Sequence, residues 1–236
     1  MNATFEYNSD ADYSHTVSFS GDGRLLASSW SVDDTIKLYD VEANTEILTN
    51  MSGRVVAISH DGTLLASGTD QNNVNIFLVT TGEILHVLSG HTDFVRFMEF
   101  SQDDSMLVTG SYDSHVKTWD TATGDLLNTY SSHTSGVLQV AFSNDGSLII
   151  SGSKDNTAII WDVSSVSVSL TYSPAYDIIS WISTVALNPR SSLAAIGYGI
   201  GGLETFDTTT GALQQSFYGH GWWMLGNQIY TRMFTR

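Results

Sequence analysis

The sequence predicts an all-β fold built from repeated four-stranded units. Three observations lead to this prediction: a polar turn motif recurs at a regular spacing, short apolar segments alternate with tight turns, and segments with the hydrophobic period of a helix are absent. Hydrophobic residues make up 42% of the chain and charged residues only 14%, so the units hold enough apolar surface for a packed core.

The repeat is defined by an apolar anchor residue that directly precedes a polar turn. The five anchors are Phe19, Ile58, Phe100, Phe142 and Leu187. They lie about 40 residues apart, which is the length of one β-propeller blade and exceeds the shorter helical repeats. We predict one domain over residues 1–236, with units at approximately 10–48, 49–90, 91–132, 133–177 and 178–219, and with residues 220–236 beginning a sixth.

The sequence of each unit predicts four short strands joined by tight turns. In the fourth unit the strands are predicted at residues 136–142, 148–151, 158–161 and 166–171. Asp-Gly pairs supply the positive φ that short hairpins require. Because such a sheet cannot bury its faces alone, neighbouring units must pack around an axis or stack in a row. The predicted architecture is therefore a β-propeller of four-stranded blades.

Charge and cysteine content restrict the partners and the compartment. Lys and Arg number 9 against 25 Asp and Glu, and the net charge of -16 disfavours nucleic acid and membrane surfaces. Basic peptides or basic protein faces would be attracted, but the simpler explanation, which we favour, is that the negative charge maintains solubility. The chain has no cysteine, and its first residues lack the pattern of a signal peptide, so we expect an intracellular, cytoplasmic or nuclear, location.

The ends of the repeats resemble those of the WD-repeat family, whose units open on Gly-His and close their third strand on Trp-Asp. The closing pair is intact at Trp119-Asp120 and Trp161-Asp162, and it has aromatic variants at Tyr39-Asp40 and Phe206-Asp207, whereas Phe77-Leu78 lacks the acid. The opening pair stands at Gly90-His91 and Gly219-His220, and Ser132-His133 keeps half of it. The resemblance covers nearly the whole chain.

The resemblance implies a hydrogen-bond network of His, Ser or Thr, Asp and Trp inside a blade. The third unit matches it with His91, Thr109, Asp113 and Trp119, and the fourth with His133, Ser151, Asp155 and Trp161. The Trp indole only donates and the carboxylate only accepts, so a hydroxyl and an imidazole can bridge them. A Ser-His-Asp hydrolase triad is the alternative, but the recurrence of the set in adjacent units favours a structural role.

In the other units we expect the network to be incomplete. The corresponding residues are Ser29, Asp33 and Tyr39 in the first unit, Ser67, Gln71 and Phe77 in the second, and Ile196, Ile200 and Phe206 in the fifth. A partial network leaves a buried polar group unpaired, so units three and four are predicted to form the rigid centre.

Partner-binding residues are predicted on the face whose loops lead into each first strand. One set of candidates lies three positions after the network His, or after the residue that takes its place, and consists of Tyr13, Phe94, Trp181 and Trp223. A second set directly precedes the turn Asp and consists of Tyr112 and Lys154, with Trp30 nearby in the first unit. Aromatic residues are enriched at binding hot spots. The alternative is that each ring packs onto a neighbouring blade.

Two further patterns in the sequence do not meet the requirements of a chemical site. Residues 197–202 satisfy a dinucleotide-binding glycine motif, but a strand is predicted after them where that motif needs a helix. His86 and His91 have the nearest histidine spacing, and no third ligand completes a metal set. We therefore predict no cofactor and no metal.

The predicted function is a non-catalytic scaffold that binds a protein or peptide on its loop face. The alternatives are a propeller-fold enzyme with its site in a central channel and a fragment of a larger signalling or regulatory protein. Residues 4–7 resemble an outer strand, and five full units are fewer than the seven common in the family. The sequence thus leaves open a small ring, an open ring completed by another chain, or a piece of a longer product.

Overall fold

A computed structural model describes residues 15–30, 34–173, 181–188, 190, 192–199 and 201–218. Over these residues the protein is built from five antiparallel sheets of four strands each. Within those ranges no helix is present. Each sheet contains four strands that are consecutive in the chain and neighbours in the sheet, and we call each sheet a blade. The all-β, WD-type blade architecture predicted from the sequence is confirmed.

The strand bounds follow the predicted repeat. The first blade holds β1 His15–Phe19, β2 Leu25–Trp30, β3 Thr35–Asp40 and β4 Thr45–Ser52, and the second holds β5 Val55–Ile58, β6 Leu64–Gly68, β7 Val74–Leu78 and β8 Ile84–Leu88. The third holds β9 Val95–Phe100, β10 Met106–Ser111, β11 Val116–Asp120 and β12 Leu126–Tyr130, and the fourth holds β13 Val137–Phe142, β14 Leu148–Ser153, β15 Ala158–Asp162 and β16 Ser167–Tyr172. The fifth holds β17 Ile182–Leu187, β18 Leu193–Tyr198, β19 Gly202–Asp207 and β20 Leu213–Tyr218.

Several predicted boundaries differ from the observed ones by one to four residues. β4 extends to Ser52, past the predicted unit boundary after residue 48. In the fourth blade the last strand begins at Ser167 rather than at Val166, because Val166 has a φ of 54° and belongs to the turn. As predicted, residues 197–202 are followed by a strand, β19, so these glycines do not lead into a phosphate-binding helix.

The recurring Asp turn explains why the repeat is visible in the sequence. In the first blade the Ser20 hydroxyl donates to Asp22 Oδ1 at 2.6 Å, and that oxygen also accepts the backbone N–H of Arg24. Gly23 then takes a φ of 71°, which favours glycine. The same Ser-to-Asp bond forms in the next three blades, at Ser59–Asp61, Ser101–Asp103 and Ser143–Asp145.

Consecutive blades pack face to face through apolar rows. In the third blade Phe100, Leu107 and Trp119 lie opposite one another on neighbouring strands and pack onto the second blade. The equivalent row in the fourth blade, Phe142, Ile149 and Trp161, packs onto the third. The inner strands β1, β5, β9, β13 and β17 thereby lie side by side in chain order.

A glycine on the second strand permits the inner strand of the next blade to approach closely. A Cβ atom on Gly110 would lie 2.7 Å from Val137 Cγ1, and one on Gly152 would lie 2.7 Å from both Ile182 Cγ2 and Val185 Cγ1. These distances are too short for any other residue without movement of the neighbouring blade. The blade spacing therefore depends on these two glycines.

Over the described residues, one face of the first blade is not covered by another blade. Phe19, Leu26 and Tyr39 form its equivalent row, but Phe19 is 56% exposed whereas Phe100 is 2% exposed. In the described part of the chain, β17 of the fifth blade does not pack on β1 as the inner strands of consecutive blades pack on each other. The five blades therefore form an open series over these residues.

Candidate functional site

The third blade brings together the four residues that the sequence groups into a network. His91 Nδ1 lies 2.8 Å from Asp113 Oδ2, and His91 Nε2 lies 2.8 Å from Thr109 Oγ1. The Trp119 indole N–H donates to the same Thr109 oxygen at 2.9 Å. One hydroxyl on β10 therefore links the loop before β9 to β11.

Electrostatics assign the proton positions in this network. The hydrogen bond from the His91 ring places a proton on Nδ1, so Nε2 accepts from Thr109 while Thr109 accepts from Trp119. Burial alone would raise the pKa of Asp113, but hydrogen bonds from His91 and from the backbone N–H groups of Thr92 and His115 outweigh it and hold the pKa well below its usual range. Burial lowers the pKa of His91, and this effect outweighs the hydrogen bond to Asp113, which acts to raise the pKa. The carboxylate is thus ionised and the imidazole neutral.

The fourth blade repeats the arrangement with Ser in place of Thr. His133 lies 2.9 Å from Asp155 Oδ2 through Nδ1 and 2.7 Å from Ser151 Oγ through Nε2, and Trp161 donates to Ser151 at 2.8 Å. Burial by itself would raise the pKa of Asp155, but bonds from His133 and from the Thr157 hydroxyl hold it well below its usual range. Ser151 and Thr109 are both fully buried.

In the first and second blades the structure differs from the expected partial networks. β1 and β2 pair Val17 with Ser28, so Ser28 and not Ser29 occupies the register position of Thr109. Ser29 lies on the opposite face, where it donates to the carbonyl of Arg54, and its assignment to the network was wrong. In the second blade Ser67 is buried and donates to the Ser52 carbonyl. Asp33 lies outside the described residues.

The fifth blade carries a buried polar cluster that the sequence did not predict. Glu204, 2% exposed, accepts the hydroxyls of Tyr172 at 2.9 Å and Tyr198 at 2.5 Å, and Ser216 donates to its other oxygen at 3.3 Å. Ile196 and Phe206 are apolar, as expected from the sequence, and Ile200 lies outside the described residues. Tyr172 belongs to the fourth blade, so no spacing within one unit could reveal the cluster.

On the loop face, Phe94 and Arg54 form a contact between the second and third blades. The Arg54 guanidinium lies 4.9 Å from the centre of the Phe94 ring, and its Nε donates to Asp34 Oδ1 at 2.7 Å. Phe94 keeps 36% of its surface exposed. The ring therefore packs at a blade junction and also presents a face to solvent.

Tyr112 and Lys154 form a second such contact, between the third and fourth blades. The Lys154 ammonium lies 4.1 Å from the centre of the Tyr112 ring, within cation–π range. Gly136 lies beneath the ring, because a Cβ there would stand 2.8 Å from Tyr112 Cδ1. The Tyr112 N–H donates to the Phe94 carbonyl at 2.9 Å, which joins the two contacts.

Trp181 extends this row onto the fifth blade. Its side chain is 50% exposed, and its carbonyl accepts the N–H of Gly199 at 3.1 Å. A Cβ on Gly199 would lie 2.4 Å from the indole nitrogen, so the ring lies directly on this glycine. Trp30, on β2, is half-buried and pairs across the sheet with Thr35. Tyr13 and Trp223 lie outside the described residues.

One inner strand, β9, carries a carboxyl group whose pKa is raised by burial. Glu99 on β9 accepts the backbone N–H of Phe142 at 3.2 Å. Burial raises the pKa of Glu99 to about 7, although the bond from Phe142 and the nearby His60 act to lower it. No Asp or Glu occurs on the other four inner strands, as the described strands define them.

The described residues form neither a cluster suited to a metal ion nor a membrane-spanning helix. No group of three or more His, Cys, Asp or Glu side chains suited to a metal ion occurs among the described residues. No helix in this part of the chain is long and apolar enough to cross a membrane.

Comparison with known families matches three segments of the chain. The family model described as WD domain, G-beta repeat matches residues 6–40, 82–120 and 124–162. The second and third segments contain the complete networks of the third and fourth blades. No curated protein matches the chain. These matches, together with the five four-stranded sheets, show that the chain carries WD repeats.

Proposed function

We propose that this protein is a non-catalytic scaffold that binds a protein or peptide partner through an aromatic rim on its loop face. We define the rim as Phe94, Tyr112, Lys154 and Trp181. WD repeats generally serve as protein-interaction scaffolds. The observation that carries the proposal is the pair of cation–π contacts, in which Arg54 of the second blade and Lys154 of the fourth hold two partly exposed rings of the third blade, Phe94 and Tyr112.

The rim has the properties of a binding surface. Aromatic rings that are held in place lose little conformational entropy when a partner covers them. The sequence left open whether the rings pack on neighbouring blades or face a partner. Phe94 contacts Arg54 of the neighbouring blade and still keeps 36% of its surface exposed, which supports the proposal that a partner can contact the ring. Tyr13, Trp30 and Trp223 remain candidates for the same surface.

The proposal assigns the His-Ser/Thr-Asp-Trp networks to structure rather than to catalysis. The hydroxyls of Thr109 and Ser151 are buried, and each is already engaged by an indole N–H and an imidazole, so neither can reach a substrate. A propeller-fold enzyme needs several titratable groups that meet in one pocket. Glu99 stands without a second carboxylate on the described inner strands, which favours the scaffold.

The acidic side chains bear on the charge of the partner. Asp22, Asp61, Asp103 and Asp145 lie in the turns after the inner strands, at the opposite end of the blades from the rim. A basic partner, which we retain as a proposal together with an intracellular location, would therefore gain most from contacts that extend toward these turns.

Site-specific crosslinking tests the rim. We expect p-benzoylphenylalanine in place of Phe94 to crosslink a partner in cell extract, and the same substitution at Ile84, which is 52% exposed on β8, to crosslink none. Substitution of Tyr112 and Trp181 by Ala should abolish the crosslink, whereas Val87→Ala with Leu126→Ala should preserve it. A crosslink that forms equally from both positions would reject the rim.

A further inference from the structure

Two buried hydroxyl groups in the third blade have no hydrogen-bond partner among the described residues. They are Thr118 Oγ1 on β11 and Tyr130 Oη on β12. Thr118 is 0% exposed and Tyr130 is 2% exposed, so bulk solvent reaches neither residue. Buried hydroxyls in folded proteins are nearly always hydrogen-bonded, either to another protein group or to an ordered water molecule. These two hydroxyls therefore require a partner.

Cross-strand register places both hydroxyls on the face of the third blade that packs on the fourth. Thr118 lies opposite Asn128, and Tyr130 follows two residues later on the same strand and so on the same face. The Tyr130 ring packs on Trp161 of the fourth blade, with 5.4 Å between the ring centres. Burial raises the pKa of Tyr130, whereas Thr118 and Asn128 act to lower it, so these three polar side chains lie close together. The two hydroxyls do not, however, have the geometry of a direct hydrogen bond.

The junction of the fourth and fifth blades shows how the equivalent tyrosine is satisfied. Tyr172 on β16 corresponds to Tyr130 on β12, because each pairs with the first residue of the third strand of its blade. The Tyr172 hydroxyl donates to Glu204 of the next blade at 2.9 Å. In the fourth blade Ile159 takes the place of Glu204, since both stand two positions before the aromatic residue near the end of the third strand. Ile159 packs in the apolar cluster that contains Tyr130 and offers the hydroxyl no acceptor.

We propose that one water molecule is bound between the third and fourth blades, where it bridges the hydroxyls of Thr118 and Tyr130. The Tyr130 hydroxyl donates to the water, the water donates to Thr118 Oγ1, and the side-chain amide of Asn128 supplies the third partner. Buried water molecules make about three hydrogen bonds, to polar groups that are otherwise unsatisfied. The water thus does at this junction what Glu204 does at the next one, and it exchanges only when the two blades separate locally.

Magnetic relaxation dispersion of the solvent nuclei tests the proposal, because it counts the water molecules that stay bound for longer than the full chain tumbles. The double variant Thr118→Val with Tyr130→Phe removes both hydroxyls and should lower this count by one. Thr121→Val is the matched control in the same blade. Thr121 is buried, but its hydroxyl donates directly to the Asp104 carbonyl at 2.6 Å, so the count should not change. Equal counts in the wild type and the double variant would overturn the proposal.

Urea denaturation of the single and double variants distinguishes a bridged pair of hydroxyls from two unsatisfied ones. Thr118→Val and Tyr130→Phe should each raise the equilibrium constant of unfolding about fivefold, since each removes a hydrogen bond to the water. The double variant should show less than the product of the two effects, because both act through one water. Single variants as stable as the wild type would overturn the proposal. So would coupled losses with an unchanged water count, which would assign the pair to a direct hydrogen bond.

Discussion

The Ser151 hydroxyl lies 2.8 Å from the Trp161 indole nitrogen and 2.7 Å from His133 Nε2, so one buried oxygen satisfies two aromatic side chains. It accepts from the indole and donates to the imidazole, whose other nitrogen is bound to Asp155. Because these groups come from different strands and from the loop before β13, the network links parts of the blade that backbone hydrogen bonds alone would leave independent.

Removal of that hydroxyl should destabilise the protein. Ser151→Ala leaves the Trp161 N–H without its acceptor, and burial of an unsatisfied donor costs about 1–3 kcal/mol. Urea denaturation measures the change in the free energy of unfolding. Ser67→Ala is the control, since Ser67 is equally buried in the second blade but donates only to the Ser52 carbonyl and should lose less. Equal losses would show that the indole and imidazole contacts add nothing.

Acid should unfold the protein through Asp113 and Asp155. Their pKa values in the folded state lie below 3.8, the ordinary value of an aspartate side chain, so the stability they contribute is present above about pH 4 and is lost as the pH falls further. Asp113→Asn removes this contribution, and its stability should decline less between pH 4 and pH 2 than that of the wild type. Parallel pH profiles of the two proteins would contradict the assignment.

Glu99 should make the stability of the protein depend on pH in the direction opposite to Asp113 and Asp155. Its pKa rises from 4.5 to about 7 on folding, so the folded state binds a proton more tightly than the unfolded state. Stability from this group is complete below pH 4.5 and declines until the pH passes about 7. Glu99→Gln keeps an acceptor for the Phe142 N–H and should flatten the profile over this range. A decline that persists in the variant would assign the effect to another group.

The Glu204 cluster should stabilise the junction of the fourth and fifth blades. Glu204→Ala removes the acceptor of two tyrosine hydroxyls, and we expect a loss of about 2 kcal/mol or more in the free energy of unfolding. Ser216→Ala removes only the longer, 3.3 Å bond and should cost much less. If the two variants lose stability equally, the tyrosine contacts are not the source of the effect.

The part of the structure that follows from the sequence is the part that repeats within one unit. Asp turns recur because their bonds are local, and the spacing from His133 to Ser151, Asp155 and Trp161 is fixed by strand length and turn length. These features could therefore be located by counting residues.

The features that the sequence did not reveal arise from contacts between units. The carboxylate of Glu204 meets Tyr172 of the preceding blade, and Lys154 meets Tyr112 in the same way. Contacts of this kind depend on how blades pack, which no single repeat encodes.

The error at Ser29 has a different cause, because it lies within one unit. Ser29 was placed on the wrong face of β2, since a shift of one residue in a strand reverses its face and the pairing of β1 with β2 fixes that register.

We expect the hydrogen-bond networks to make the third and fourth blades the rigid centre of the protein. Hydrogen exchange measures this directly, residue by residue. Amides of β10, β11, β14 and β15 should exchange more slowly than those of β2, β3, β18 and β19, and the double variant Thr109→Val with Ser151→Ala should bring their protection down to the level of the second blade. Equal or greater protection in the first and fifth blades, or protection that the double variant leaves unchanged, would contradict the claim.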